Sequence, residues 1–539
     1  MVLMRSRTAV AGLVSLLGFA AWAAWPTSST EDVVVNRIST AELGGLVSDG
    51  QGGFYVIWAD GRLGGTVIDD IQGEHLNANG DRLWNSATDG GTIGKTLFSA
   101  NGDQAITGVA AGPGGDFYVA WRDGPNMLQL RRFDSNGAQV AAYNTFTATG
   151  SSLAIVSDGA GGLYAGVNTG PSASITRLDP MGVPIAGLAA VAGGGDVRAL
   201  GLVRDPFGVI AGYGLSTNAL QLRAFTPTLQ VRFTVNPYSS TISFGAQDWG
   251  TDEQGGAWVV GAANDGDLLL QQVFADGGLR YGVADGGAAR APLMATPAMG
   301  AQNVFNLEPD NEGGAWILWK DNRSGQTLLY AQRVGADGGL QLDPNGEVMA
   351  TTRVATRANG SGNIRPVVRG DAITVVWTQD MPALIRAQKL FTDGGRAYPF
   401  GGVVVSTPPA SFAYMRRTLT NADPQGNLIT AASYYFTSGS NTPEVRVKRL
   451  LADGTFGDGG VATDGGAGGG AGGGTGGAGG GTGGTGGGAA GTGGGSAGGA
   501  GGGGNSGGGC GCSTGLEGAG FAGLMAIASL LRRRRGNRG

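Results

Sequence analysis

The chain has 539 residues, of which 41% are hydrophobic, 14% are charged and 107 are Gly, with only two Cys and one His. This Cys content excludes a disulfide-rich scaffold, and the high Gly content indicates a chain rich in turns. Residues 24–509 contain 29 Lys and Arg against 40 Asp and Glu, a balance of −11. Because an acidic chain without a basic cluster lacks the surface that phosphate backbones need, nucleic acid is excluded as a partner.

The N-terminus has the three parts of a secretory signal peptide. Arg5 and Arg7 precede an apolar run over residues 9–21, and Ala21 and Ala23 place small residues at the two positions that a signal peptidase recognises. The apolar run is shorter than the ~20 residues that a membrane-spanning helix needs. We therefore expect residues 1–23 to be removed during export and residues 24–461 to form the body of the mature protein.

A turn rich in Asp and Gly, followed by an apolar or aromatic strand, recurs throughout this body. The clearest turns begin at Ser48, Asp158, Asp252 and Asp310. Asp and Gly favour the backbone conformations that tight hairpin turns require. Counting weaker copies, eight strands start 46 to 63 residues apart, at Phe54, Phe117, Leu163, Val209, Ala257, Ala315, Ile373 and Leu428.

A second pattern follows later in each copy and consists of an apolar residue with Gly four positions further on. Leu76 and Gly80 are one example, and only the fourth copy, around Phe225, lacks the Gly. These pairs predict antiparallel strands closed by tight turns. The residue just before the apolar position is cationic in most copies: His75, Arg132, Arg177, Gln272, Arg333, Lys389 and Arg449.

Strands such as Phe54 to Trp58 are apolar on both faces, which indicates sheets packed face to face. Large rings at one repeat position would fill the space between neighbouring sheets. About 53 residues per copy suits one four-stranded blade, whereas a β-sandwich needs seven strands in about 100 residues. The sequence therefore predicts an all-β fold, a β-propeller of seven or eight four-stranded blades. The shared ring position holds Trp58, Trp121, Trp319 and Trp377.

We further expect Val33 to Val35, just after the signal peptide, to close the ring as a strand beside Val445 to Leu450. After the body, residues 462–509 are dominated by Gly, with Ala and Thr, and have too little apolar content to fold. This segment is predicted to be a disordered linker.

Residues 510–539 have the parts of a sorting signal in order. Cys510 and Cys512 precede an apolar stretch from Gly518 to Leu531, and Arg532 to Arg535 follow it. Fourteen helical residues extend ~21 Å, so this short hydrophobic helix is a poor permanent anchor for a hydrocarbon core of ~30 Å. The bias of positive charge towards the cytoplasm predicts that the body lies outside.

At these residues the tail resembles the myxobacterial C-terminal sorting domain, MYXO-CTERM. The resemblance implies that a membrane-embedded sorting protease cuts near the cysteines and that the product reaches the outer surface. Cys510 and Cys512 both match the motif, and either is a candidate for processing or lipid attachment. A disulfide across one residue is strained, and two thiolates fall short of the four ligands of structural zinc.

The body offers little conventional catalytic chemistry. One His and no Cys outside the tail exclude a cysteine nucleophile and leave little room for triads. His75 occupies a position that Arg, Lys or Gln fills elsewhere, so we interpret it as a strand-surface residue, the alternative being a general base or metal ligand. The turn at residues 310–314 lacks the alternating carboxylates of a calcium loop, so we interpret it as structural, the alternative being a calcium site. No catalytic, metal or cofactor-binding residue is predicted, and no cofactor.

These observations predict an exported protein, held at the cell surface or outer membrane or released from it. Its propeller would act as a non-enzymatic binding platform for a surface, matrix or polysaccharide ligand. The alternative is a secreted carbohydrate-active enzyme, a glycoside hydrolase or lyase with paired carboxylates near the propeller axis. A functional site should break the repeat, and in the sequence no polar residue stands out as doing so.

Overall fold

The computed structural model describes residues 25–461 with short gaps. The predicted signal peptide, Gly-rich linker and sorting tail, with Cys510 and Cys512, lie outside the described residues. Within the described ranges, no helix is long and apolar enough to cross a bilayer. The gaps are 38–40, 61–69, 85–93, 101, 103, 125–126, 144–151, 170, 194–196, 216–219, 239–246, 263–267, 282–302, 311, 344–345, 351–363, 380–381, 410–411, 437–442 and 457–459.

Antiparallel sheets follow one another along the chain, and each is called a blade below. Strand β1 (Val33–Asn36) comes first but belongs to the last blade. Blade 1 consists of β2 (Ala41–Ser48), β3 (Phe54–Asp60), β4 (Asp70–Leu76) and β5 (Lys95–Phe98). Blade 2 consists of β6 (Gln104–Ala111), β7 (Phe117–Asp123), β8 (Met127–Phe133) and β9 (Gln139–Ala142). Blade 3 consists of β10 (Ser152–Ser157), β11 (Leu163–Asn168), β12 (Ser172–Leu178) and β13 (Pro184–Gly193).

The next two blades continue the order. Blade 4 consists of β14 (Val197–Asp205), β15 (Gly208–Leu215), β16 (Leu220–Phe225) and β17 (Val231–Val235). Blade 5 has three strands among the described residues, β18 (Gln247–Thr251), β19 (Ala257–Ala262) and β20 (Leu268–Val273).

The remaining strands complete the set. Blade 6 consists of β21 (Asn303–Pro309), β22 (Ala315–Asp321), β23 (Leu328–Val334) and β24 (Glu347–Val348). Blade 7 consists of β25 (Ile364–Arg369), β26 (Ala372–Gln379), β27 (Leu384–Phe391) and β28 (Val403–Ser406). Blade 8 consists of β29 (Phe412–Ala422), β30 (Leu428–Phe436), β31 (Glu444–Leu450) and β1, and the hairpin β32 (Thr455–Phe456) and β33 (Gly460–Val461) follows it.

The blades form a closed ring. The first strand of each blade contacts the first strand of the next, and β29 of blade 8 contacts β2 of blade 1. The fold is therefore an eight-bladed β-propeller, which confirms the predicted class and selects eight blades. Strand β1 pairs with β31 through Val33 opposite Val447 and Val34 opposite Arg446, which confirms the predicted ring closure.

The hydrophobic core is divided among the interfaces between neighbouring blades. Eight clusters of buried apolar side chains are present, and each spans one pair of adjacent blades. The four Trp residues predicted to fill these interfaces are fully buried, as Trp377 illustrates by packing against Trp316 and Leu318 of the preceding blade. Burial on both faces explains why the second strands are apolar throughout.

The repeat pattern in the sequence matches the strand register. The eight predicted starts lie within one residue of the starts of the second strands. The Gly residues of the second pattern have positive φ, 85° at Gly80 for example, in the turn after the third strand. Leu229 occupies this position in blade 4 and adopts φ 61°, so the copy without Gly keeps the same turn.

Residues ahead of β1 also hold the ring closed. Trp25 is buried against Gly80 of blade 1, where a Cβ atom would collide with the indole, and its Nε1 donates to Ala78 O at 2.8 Å. The Lys448 ammonium of β31 donates to the carbonyls of Ser28 and Glu31, and burial lowers its pKa to about 8. The N-terminal segment therefore joins blades 8 and 1.

Candidate binding site between blades 7 and 8

Most turns between first and second strands have one structure, called here the Asp turn. Its Asp Oδ1 accepts hydrogen bonds from the backbone N–H groups two and four residues later, at 2.7 and 2.8 Å for Asp49. The last turn residue is usually Gly, because a Cβ at Gly53 would lie 2.4 Å from Leu76 O. Asp turns begin at Asp49, Asp158, Asp252, Asp310 and Asp423.

The second oxygen of these carboxylates faces the recurring cationic residue of the third strand. Arg333 and Asp310 are 2.8 Å apart, and both side chains are largely buried. Blade 2 makes the equivalent pair with an Asp that lies at the end of its turn. Such N···O distances are 3.0 Å for His75 and Asp49, 2.5 Å for Arg132 and Asp116, 2.9 Å for Arg177 and Asp158, 3.1 Å for Gln272 and Asp252, and 4.0 Å for Arg449 and Asp423.

Four of the recurring third-strand cations also donate to the next blade. The acceptor is the carbonyl two residues after the third strand of that blade, and Arg449 of blade 8 donates to Ala78 of blade 1 at 3.0 Å. A cation that holds its own turn and the neighbouring turn is part of the scaffold. The other bonds are Arg132 to Pro180 at 2.7 Å, Arg177 to Pro227 at 3.3 Å, and Lys389 to Ala452 at 3.5 Å.

His75 makes the same two contacts, one to its own turn and one to the next blade. Its Nε2 faces Asp49 Oδ2, its Nδ1 lies 3.1 Å from Ser135 O of blade 2, and its ring packs against Tyr55 with centroids 4.4 Å apart. Burial alone would raise the pKa of Asp49, but hydrogen bonds from His75 and two backbone amides lower it. The side chain is buried and does not lie on the strand surface as expected, while its position in the repeat is the one predicted.

The Asp turns show how their carboxylate oxygens are used. At Asp310, one oxygen accepts two backbone amides and the other accepts Arg333, so the turn is built by its own hydrogen bonds. Over the described ranges, no group of three or more His, Cys, Asp and Glu side chains is arranged to hold a metal ion.

Blades 4 and 7 depart from the Asp turn because only two residues join their first and second strands. In blade 4, Asp205 ends the first strand opposite Gly208, and its carboxylate pairs with Arg232 at 2.6 Å. In blade 7, Arg369 ends the first strand opposite Ala372. A cation thus occupies the place of the acid, and the repeat cation Lys389 has no carboxylate partner among the described residues.

A cavity of about 260 Å³ opens at this point between blades 7 and 8. The two cations flank it: Arg369 Nη2 donates to Asp423 O at 2.9 Å, and Lys389 reaches Ala452 O. The cavity is called here the blade 7 pocket. Its lining includes Arg369, Thr374, Lys389, Pro424, Gln425 and Ala452.

Sequence analysis missed this pocket, although a signal was present. Asp at the fifth position before a strand start recurs in most copies, whereas Val368 occupies that position before Ile373. The shortened turn places Gly370 and Asp371 between the strands, and the register that makes Arg369 equivalent to Asp205 is visible only in the paired strands. The expectation that no polar residue breaks the repeat was wrong at this position.

A second departure lies on the first strands, nearest the propeller axis. The relevant position is the first-strand residue that pairs with the fourth residue of each repeat, counted from the strand starts given above. In blades 1 to 4 this residue is small, being Gly45, Gly108, Ala154 or Gly201. Blades 5, 6 and 7 have Asp248, Asn306 and Arg365 there. This residue lies nine positions before the repeat start in blades 1, 2, 3, 5 and 6, and eight positions before it in blades 4 and 7, where the turn is shorter.

Asp248 connects blade 5 to blade 6. Its carboxylate accepts the Leu307 N–H at 2.8 Å and the Trp249 N–H at 3.0 Å. Burial raises the pKa of Asp248 to about 6, against the lowering effects of these amides and of Arg365. Of the described charged groups, Arg365 is the one that shifts this pKa, and no second carboxylate contributes.

No protein-family model matches the chain, and no curated protein matches it. Among solved structures, the Dos1 propeller has 10% identity and a TM-score of 0.45, over 79% of this chain and 95% of its own. An ulvan lyase, described as a new polysaccharide lyase family, has 11% identity and a TM-score of 0.42 over 79% and 95%. The BP39L lectin from Burkholderia pseudomallei has 13% identity and a TM-score of 0.42 over 66% and 98%.

Proposed function

We propose that this protein is a surface-displayed propeller that binds a ligand without catalysing a reaction. The observation that supports this most directly is the use of its charged side chains. The recurring acids and cations bond to turns and to neighbouring blades. In the blade 7 pocket, by contrast, two cations face a cavity. A cationic cavity in an acidic body, with no His or thiol in its lining, favours recognition over chemistry.

Export and anchoring complete the proposal. The signal peptide of residues 1–23 directs the chain out of the cytoplasm, and residues 510–539 are recognised by a membrane-embedded sorting protease. The Gly-rich linker then holds the propeller away from the surface as a flexible tether, with an r.m.s. span of ~35 to 40 Å for 45 residues. Cys510 or Cys512 retains the processed chain.

Two experiments test these parts separately. A screen of the full chain against glycans and surface proteins, with turnover measured on the same glycans, should find binding without product formation. Fractionation of cells should recover the processed chain at the surface, and replacing both Cys510 and Cys512 by Ser should release it. Full-length unprocessed protein in the cytoplasm would contradict export, and turnover of a glycan would contradict the non-enzymatic function.

Asp248 favours a second candidate, the carbohydrate-active enzyme. A carboxyl group whose pKa is raised to about 6 beside an Arg is the kind of group that serves as a general acid. Both of its oxygens accept backbone amides, however, and glycoside hydrolysis needs two carboxyl groups roughly 5 to 9.5 Å apart. Loss of glycan turnover in Asp248→Asn, if turnover is detected, would select this alternative.

A further inference from the structure

We infer that the blade 7 pocket binds the carboxylate of an acidic saccharide, a uronate residue. This inference rests on the proposed binding function and names its ligand. It begins with a comparison inside the ring, since the turn cations of the other blades face Asp side chains. In blade 7, Arg369 and Lys389 flank one cavity without such an acid.

The chemistry of the two cations selects an anion of a particular kind. A guanidinium is a planar fork that matches a carboxylate with two parallel hydrogen bonds, and an ammonium adds a point charge. Arg369 uses Nη2 on the Asp423 carbonyl and is exposed at the end of the first strand. Lys389 has a single long hydrogen bond of 3.5 Å. Both cations therefore have donor capacity left for a ligand.

The remaining lining fits a sugar ring. The Thr374 hydroxyl and the Gln425 amide provide donors and acceptors for sugar hydroxyls, and Pro424 and Ala452 provide apolar surface. The volume of about 260 Å³ lies below the ~300–1,000 Å³ of pockets that enclose drug-sized ligands. One residue of a longer chain would enter the pocket while its neighbours extend over the exposed turns.

The surrounding charge adds specificity. With 29 Lys and Arg against 39 Asp and Glu over residues 24–461, a balance of −10, the body repels acidic polymers in general. A uronate chain would therefore bind where two cations outweigh that repulsion and would be disfavoured over the rest of the surface.

Calorimetric titration of the full chain with trigalacturonate, and with its methyl ester as the matched neutral ligand, tests this inference. We expect trigalacturonate to bind and the ester to bind at least tenfold more weakly. Arg369→Asp gives blade 7 the acid that blade 4 has at the same position, and this acid provides a carboxylate partner for Lys389. It should reduce affinity at least about tenfold, the effect of losing charge-assisted hydrogen bonds.

Matched variants distinguish loss of the binding site from unfolding of the protein and from a general effect of net charge. Arg204→Asp makes the same charge change at an exposed Arg near the end of the first strand of blade 4 and should alter affinity less than twofold. Arg369→Gln and Lys389→Gln should each weaken binding several-fold, and thermal melts of all variants should coincide with that of the parent.

The outcomes separate this inference from the proposed function. Binding of trigalacturonate that Arg369→Asp leaves unchanged would overturn the assigned pocket but keep a binding propeller. Binding of a sulfated trisaccharide, free sulfate or an acidic peptide in preference to trigalacturonate would overturn the uronate. A screen that finds no ligand at all would overturn the proposed function itself.

Discussion

Blades 4 and 7 both join their first and second strands by two residues, and the residue before this turn is an acid in blade 4 and a cation in blade 7. Asp205 in blade 4 is buried and pairs with Arg232, while Arg369 in blade 7 is exposed and faces a cavity. A two-residue connection is therefore compatible with a buried acid–cation pair or with an exposed cation beside a cavity. Among the described residues, the acid–cation pairing is missing at the blade 7 pocket, which is where we propose that the ligand binds.

The hydrophobic interfaces are the feature that the two blades share, and disrupting one should have the largest effect. Trp377→Ala removes a fully buried ring between blades 6 and 7 and should destabilise the protein by about 3–5 kcal/mol. Urea unfolding with a fluorescence readout measures this change. A loss below about 1 kcal/mol would mean that the interface between blades 6 and 7 contributes less to the core than its burial indicates.

Removing the acid of blade 4 should have the next largest effect. Asp205→Ala leaves Arg232 mostly buried without its partner and should cost about 3 kcal/mol, whereas Arg369→Asp in blade 7 should cost less than about 1 kcal/mol. Thermal unfolding of the two variants side by side makes the comparison. Equal costs would show that the two turns are not equivalent in the way their register indicates.

The axial residues allow a pH test of the scaffold. Because the pKa of Asp248 is raised to about 6 in the folded state, its contribution is most favourable below pH ~4 and is lost as pH rises through 6. Asp248→Asn should therefore reduce the loss of stability between pH 4 and pH 7 by about 1–2 kcal/mol. Unfolding curves at both pH values measure it, with Asp276→Asn as an exposed control. Identical pH dependence in the parent and in Asp248→Asn would contradict the raised pKa.

His75→Arg should have the smallest effect. Arg occupies the same repeat position in blades 2, 3, 6 and 8, where it faces the turn acid, and in blades 2, 3 and 8 it also donates to the next carbonyl. The change in stability should stay below about 0.5 kcal/mol by chemical denaturation. A loss above 2 kcal/mol, from contacts of the ring with Tyr55, would show that His75 has a role specific to blade 1.

Much of the fold could be predicted from sequence because each blade repeats the same local demands. Asp and Gly in the turns, apolar second strands and Trp at one position all follow from packing sheets face to face around a ring. In blade 4, Leu229 replaces the turn Gly, but Phe225 at the end of the third strand still matches the repeat. The ring closure by Val33–Asn36 followed from a spare apolar strand near the start of the chain.

The candidate site could not be predicted in the same way. Its cations belong to strands 20 residues apart, and Arg369 becomes equivalent to Asp205 only when both strands are paired with their neighbours. Asp248 lies nine residues before its repeat start, as Gly45 does in blade 1, so its alignment could be read from the sequence, whereas the shorter turn of blade 7 places Arg365 eight residues before its start. Fourth strands, short in most blades, gave too little pattern for prediction.

A crystal structure of the full chain with trigalacturonate tests the central claim most directly. The account predicts a galacturonate residue between blades 7 and 8, with its carboxylate about 3 Å from the Arg369 guanidinium and the Lys389 ammonium. A ligand bound elsewhere on the ring, or one whose carboxylate makes no contact with either cation, would contradict it.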